Sequence, residues 1–324
     1  MVKWMREVSR VRREQIGEIS RKYGALIVLI LMILINVVVT PNFLRINTMW
    51  NIMIQAFSVI VISMGMTLVI ATGGIDISVG STMALSSIIF AKLLIDYQMN
   101  FAGSLITALL AACIFGAFNG ILIGVFDFQP IVASLILMIS GRGIAQQFNN
   151  GVVISFYGNK FADIGTYRIG GIVPIQVVFI VLIVLAASFL VKKTNYGLYV
   201  QAVGDNKAAS HLMGLPTVLV LIGTYVICAF LAGFAASMET LRMCSADPNN
   251  IGNNMELDCI AAVAIGGTSM SGGRAVIWGT VVGALVMQLI TTMVNMNNIF
   301  YAYSLVIKSV IIIIALYLQK EKEA

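Results

Sequence analysis

Charge is scarce in this chain, and that scarcity decides its class. Only 10% of the 324 residues are charged, 59% are hydrophobic, and the mean hydropathy is +0.96. Soluble domains carry about a quarter charged residues, enough to cover a water-facing surface. This chain lacks them and reads as a polytopic membrane protein. Histidine is scarcer still, with His211 alone. The four cysteines, Cys113, Cys228, Cys244 and Cys259, show neither CxxC nor Cys/His spacing, which argues against a metal site or a disulfide framework. Cys113 and Cys228 lie inside apolar runs and read as small hydrophobes. Paired carboxylates, a histidine cluster and a Ser/Lys dyad at helical spacing are also missing, which removes the usual equipment of a membrane enzyme. No G-x-x-x-x-G-K-[ST] occurs, so nothing here cradles nucleotide phosphates.

Long apolar runs are present instead. A crossing needs about 20 apolar residues. Ten candidates follow: 24–40, 53–72, 80–95, 102–124, 131–147, 174–191, 217–237, 257–266 with its flank, 276–294 and 301–318. The eighth is the weakest, being short and interrupted by glycines. The predicted fold class is an all-α membrane protein of about ten transmembrane helices. With the N-terminus inside, thirteen Lys/Arg fall on inner segments and four (Arg45, Lys160, Arg168, Arg242) on outer ones. Basic residues favour the cytoplasmic side, so both termini are placed there. The segment 1–22 carries seven Lys/Arg against three Glu, with Trp4, Val8 and Val11 at helical spacing. No small-residue cleavage site follows the first run, so it is not read as a signal peptide. It reads either as a basic helix on the membrane surface or as a solvated tail. The expected domain is 23–318, with a cytoplasmic tail at 319–324.

Glycines explain how such helices pack. Gly116, Gly120 and Gly124 share one helix face, and Gly279 and Gly283 repeat the spacing. Small residues four apart let backbones approach closely in lipid. Two non-membrane segments are long: an outer loop near 148–173, expected to form a short hairpin or irregular cap, and an inner loop near 192–216. In the inner loop, Asp205 is a good N-cap, "NKAASHLM" a short helix, Gly214 a C′ residue and Pro216 a stop. So short a helix needs a partner surface, and Ala208, Ala209, Leu212 and Met213 offer a thin apolar one.

Three blocks now carry a resemblance. "ATGGIDISVGS", 71–81, "YGLYVQAVGDNKAASHLMGL", 196–215, and "ELDCIAAVAIGGTSMSGGRA", 256–275, resemble the permease subunit of bacterial ATP-binding-cassette importers for monosaccharides, ribose-type branch. "MSGGRA", 270–275, nearly spells the LSGGQ signature of the ATPases of such systems. It stands between two apolar runs and belongs to the third permease block, so that likeness is a coincidence. Departures at "QPIVASL", "NMNN" and Leu215 bear on the substrate rather than on the fold.

The resemblance implies a multi-pass protein of the bacterial cytoplasmic (inner) membrane and four kinds of partner or cargo. These are a second permease, identical or different, a cytoplasmic ATPase that uses ATP and Mg, an extracytoplasmic sugar-binding protein, and a monosaccharide such as ribose or galactose. This chain itself is expected to bind no cofactor. The ATPase-coupling loop is placed on Gly204, Asp205, Asn206, Lys207, Ala208, Ala209, Leu212, Met213 and Gly214. Lys160, Arg168 and Arg242 are expected to receive the binding protein. Gly73 and Gly74 interrupt a helix where Asp76 and Ser78 follow, and irregular backbone at membrane depth is tolerated only when buried in protein or lining a cavity. Asp76 and Ser78 are therefore read either as pathway residues or as the cap of the third span, with Gln55 and Asn119 as weaker pathway candidates. An ion-coupled secondary transporter is the alternative, with Asp76, Lys92, Arg142, Glu256, Asp258 and Lys308 as the charges near the membrane. For Lys92 and Lys308, snorkelling is the expected behaviour.

Overall fold

The computed structural model describes residues 24–158, 161–300 and 302–319. The basic segment 1–22, the tail 320–324 and Lys160 lie outside them. Among the described residues the chain is mostly helical. The helices are α1 (Gly24–Val39), α2 (Ile46–Ala71), α3 (Val79–Ile95), α4 (Phe101–Gly124), α5 (Pro130–Phe148) and the short α6 (Ala162–Gly165). Then come α7 (Ile175–Lys193), α8 (Asn195–Asp205), α9 (Lys207–Leu212), α10 (Thr217–Met243), α11 (Met255–Ile265), α12 (Ile277–Met296) and α13 (Ala302–Gln319). Six of them, α2, α4, α5, α7, α10 and α12, are long and apolar enough to cross a membrane.

Helix α2 is the axis of the bundle. It has 26 residues, about 39 Å at 1.5 Å per residue, and every residue from Ala56 to Ala71 is buried. A helix that is apolar all round belongs in an interior. Helix α4 behaves differently: Ile106, Leu110, Ile114 and Phe118, four residues apart, form an exposed apolar stripe suited to lipid. Its opposite face packs on α10 through the predicted glycines. A β-carbon at Gly116 would stand 2.5 Å from Ala229 Cβ, and one at Gly120 would stand 2.6 Å from Ile222 Cα. Gly283 sits likewise on the carbonyl of Ala262, joining α12 to α11.

The weakest expected span, 257–266, is corrected. Helix α11 has 11 residues, about 16 Å, roughly half of a 30 Å hydrocarbon core. The chain before it runs as irregular loop from Asp247 to Asn254 and reaches α3, where Gly252 O lies 2.4 Å from the position of a β-carbon on Gly80. Arg142 on α5 fastens that loop, donating to Ile251 O at 2.8 Å and Pro248 O at 3.1 Å. The outer segment contains strands of two residues only. Ile154–Ser155 (β1) pairs antiparallel with Ser245–Ala246 (β4), and Arg168–Ile169 (β2) pairs with Val173–Pro174 (β3) around Gly170 and Gly171.

Candidate functional site

The inner loop folds as two helices. Thr194 accepts the Gly197 N–H at 3.3 Å to open α8, which runs through Asp205. The cap of α9 is Asn206, whose side chain accepts the Ala209 N–H at 2.9 Å. Asp205 is therefore not the N-cap; it closes the preceding helix, which the sequence reading had not separated. The other signals of that reading hold. Gly214 has φ +79°, the left-handed backbone that ends helices, and Pro216 precedes α10. Ser210 is buried and donates to Ala202 O at 2.8 Å, which fixes α9 against α8. Ala208, Ala209, Leu212 and Met213 are exposed, Leu212 by 87%. Lys207 reaches Asp127, in the α4–α5 connection, at 2.5 Å. Beside that ammonium the Asp127 carboxyl is held below the usual carboxylate range, first through the hydrogen bond and then through the charge itself.

The three blocks that carried the resemblance meet here. Gly204, at the end of α8, lies against Ala71, the last residue of α2: a β-carbon on Gly204 would stand 1.8 Å from Ala71 O and 2.6 Å from Gly273 N. Gly273 donates its N–H to the same Ala71 O at 3.0 Å. A β-carbon on Gly272, φ +91°, would stand 2.7 Å from Gly204 O and 2.9 Å from Gly73 N. The "TGG", "VGDN" and "SGGR" turns are thus one backbone-to-backbone junction that only glycine permits. "MSGGRA" has its explanation in this junction. Nothing in its composition announced Gly204 as its partner, since contact between turns 70 and 130 residues apart is not a local signal.

From the junction the chain returns into the bundle through 72–78. Asp76 is 1% exposed. Its Oδ1 accepts from Ser78 N–H at 2.9 Å, Ser78 Oγ at 2.6 Å and Asn119 Nδ2 at 3.3 Å. The structure brings three of the four expected pathway residues, Asp76, Ser78 and Asn119, into one sealed cluster. Asn119 Oδ1 has no hydrogen-bond partner among the described residues. Asp76 bonds to the N–H of the residue before α3 and to none within its first turn, so it shapes the turn into the helix rather than capping its free N–H groups. The fourth, Gln55, lies elsewhere on α2 and accepts from Gln288 Nε2 of α12 at 3.0 Å.

The expected binding-protein residues are spread out. Arg168 lies in β2, and Arg242, in the last turn of α10, stands 3.7 Å from Glu239. A β-carbon on Gly165 of α6 would lie 2.4 Å from Arg242 N, which folds the outer segment onto that end of α10. Of the two lysines expected to snorkel, Lys308 is buried and paired, while Lys92 is half-buried in the last turn of α3. Lys308 meets both oxygens of Asp258 at 2.9 and 2.8 Å; Lys92 donates to Phe148 O and Asn149 Oδ1 at the end of α5. A buried charge in such a bundle is tolerated when paired, and Asp258 supplies the pairing for Lys308.

Comparison with known proteins identifies the family. The family described as branched-chain amino acid transport system / permease component matches residues 48–316. The chain is 34% identical over 302 residues to the ribose import permease protein RbsC of Escherichia coli, covering 92% of this chain and 94% of that one. It is 34% identical over 307 residues to the galactofuranose transporter permease protein YtfT of the same organism, covering 92% and 89%. Against the Bacillus subtilis RbsC it is 32% identical over 316 residues, 97% of each chain. No solved structure matches it. A family model matched over residues 48–316 and similarity to these permeases over nearly its whole length show that the chain belongs to this family of transport permeases.

Proposed function

We propose that the chain is the transmembrane pathway subunit of an ATP-driven importer for a monosaccharide. In this reading it pairs with a second permease, a cytoplasmic ATPase that uses ATP and Mg, and an extracytoplasmic binding protein. Ten helices lie in the bilayer with both termini cytoplasmic, as the lysine and arginine bias supports, and α11 fills only half of its crossing. The observation that carries the proposal is the inner junction. A short helix with an exposed apolar tip, α9, is fixed by Ser210 to α8, and the end of α8 is locked by glycine contacts to the end of the bundle's central helix. Force applied to α9 by an ATPase is thereby delivered to α2 and to the Asp76 turn.

The sugar assignment rests on the relatives, whose names specify ribose, galactofuranose and, for FruF of Bifidobacterium longum, fructose. Arg168 and Arg242, with Lys160, are assigned to the mouth that receives the binding protein, where rim charges act mainly on encounter rate. Asp76, Ser78 and Asn119 are sealed in this conformation, so their pathway role belongs to another state of the transport cycle. The pairing of Lys308 with Asp258 supports a passive pathway, because it occupies charges an ion-coupled carrier would use.

The test is coupling. Ala208→Glu and Gly214→Val are expected to abolish binding-protein-stimulated ATP hydrolysis while the permease still inserts and assembles. A bulky charge at Ala208 blocks close docking, and valine at φ +79° strains the turn. Normal uptake in both variants removes the docking role.

A further inference from the structure

The junction marks one end of α2 and α12; at the other end the same two helices carry an unusual face. On α2, Thr48, Asn51 and Gln55 stand three and four residues apart. On α12, Gln288, Thr292 and Asn295 stand four and three apart. Both sets lie at helical spacing, so each is a stripe, and the two stripes meet: Gln288 Nε2 donates to Gln55 Oε1 at 3.0 Å and lies 3.3 Å from Thr292 Oγ1. Between them is a cavity of about 170 Å³, lined by five of these residues with Ile52 and Met296. The stripe reaches about 14 Å along α2 from its first residue, since Gln55 is nine residues in at 1.5 Å each.

Asn51, Gln55 and Asn295 are exposed. The side chains of Asn51 and Asn295 make no hydrogen bond among the described residues, and Gln55 uses only its oxygen. Gln55 lies about 14 Å in from the start of α2, and an amide nitrogen left bare at that depth is unfavourable against lipid and expected where water or protein faces it. Asn51 and Asn295 continue the stripe from Gln55 to the helix ends. The lining has no charged side chain. An ion lacks a counter-charge there, and so does a zwitterionic amino acid, whose ammonium and carboxylate each need one. A neutral polyhydroxyl ligand needs what is present: amides and hydroxyls that donate and accept, with Ile52 and Met296 as apolar contact for its C–H faces.

We propose that this groove between α2 and α12, at the end of the bundle opposite α9, is the entry subsite of the transport path. It takes a neutral sugar through Asn51, Gln55 and Asn295. The inference rests on the importer reading and adds to it the residues that first meet the sugar; the groove suits the sugars named for the relatives and not the amino acids named for the family. A second copy of the chain seated on the stripe is the competing occupant.

The experiment uses the assembled transporter in proteoliposomes, with Cys113→Ser to remove the half-buried native thiol. Asn51→Cys and Asn295→Cys are treated with a charged, membrane-impermeant thiol reagent on the face opposite the ATPase. Labelling at both positions is expected, because water fills the groove. Absence of labelling overturns the proposal, as does a disulfide formed between two Asn51→Cys copies. In parallel, Gln55→Leu with Asn295→Leu is expected to lower radiolabelled D-ribose and D-fructose uptake by about tenfold or more, the effect of one or two lost hydrogen bonds. Assembly with the ATPase is expected to persist. Unchanged uptake overturns the subsite, and so does loss of assembly, which assigns the stripe to a subunit seam. If the unmodified transporter carries L-leucine and no sugar, the sugar-import reading fails; labelling of the groove still supports a water-lined path.

Discussion

The two ends of α2 are built from opposite materials. At Ala71 the contacts are backbone against backbone, with glycines 204 and 272 admitting approaches that leave no room for a methyl group and Gly273 held at φ +79°. At Asn51 and Gln55 the contacts are long amide side chains around a cavity, with donors left open. Close-packed backbone cannot deform gradually; it moves as a body or breaks. Amide side chains reorient at low cost and can serve a passing solute in several poses. One helix thus links a stiff end, suited to transmitting force, to an adaptable end, suited to weak recognition. A transport pathway needs both, and needs them apart.

The largest expected effect breaks the stiff end. Gly204→Val puts side-chain atoms where Ala71 O and Gly273 N now lie, and neither backbone group can yield without opening the junction. Overpacking of this kind costs about 1–3 kcal/mol and occasionally more. Sugar uptake is expected to vanish, with the apparent melting temperature of the detergent-purified protein clearly lowered. Gly124→Ala is the matched control. Its β-carbon would stand 3.4 Å from Val218 O, an ordinary contact, so uptake and melting should stay close to the unmodified protein. Equal damage from both substitutions would mean that the junction is no stiffer than any other helix crossing.

A smaller effect locates the point where the stiff end stops. Asp76→Leu removes one oxygen that serves the Ser78 N–H, the Ser78 hydroxyl and the Asn119 amide. Each buried donor left unpaired costs about 1–3 kcal/mol, so a marked loss of thermal stability is expected. Asp76→Asn keeps an acceptor at the same place and should fold nearly as well. Uptake then divides the two roles of Asp76. If Asp76→Asn imports sugar at the normal rate, the turn is structural and belongs to the junction. If it folds but imports poorly, the carboxylate acts in the path.

Most of the fold could be read from the chain because its signals were local. Apolar length gave the helices, and the four-residue glycine spacing gave the close-packing face of α4, though not α10 as its partner. The errors arose where the determining contact was distant. Asn206 and Asp205 are equally good caps by type, and only the break between α8 and α9 chooses Asn206. The eighth span looked short because it is a half-length helix, and its missing half is a loop held by Arg142 from α5. Lys308 resembled a snorkelling residue until Asp258, fifty positions earlier, proved to face it. The groove was half visible: Gln55 stood out as a polar residue in an apolar run, but only the packing of α12 beside α2 supplied Gln288, Thr292 and Asn295.

The smallest expected effect concerns the soft edge of the stiff end. Lys207 and Asp127 meet at 2.5 Å, but their side chains are 45% and 81% exposed, so water and salt screen the pair. The Asp127 carboxyl has its pKa lowered by Lys207. A carboxyl lowered in the folded state contributes stability above its unfolded value of about 3.9 and loses it as pH falls through the lowered value. From pH 6 to 8 the pair is therefore fully charged and its contribution constant, so any pH dependence of uptake there comes from another group. Lys207→Ala should leave the melting temperature nearly unchanged at pH 7, and 0.5 M salt should erase what difference remains. The pair joins α9 to the α4–α5 connection, so under the proposed docking role its use lies in orienting α9 rather than in holding the fold. A modest fall in stimulated ATP hydrolysis at low salt, with no change in thermal stability, is the expected pattern in Lys207→Ala. A large loss of stability would instead make α9 part of the rigid junction and move the boundary between the two ends outward to the docking surface itself.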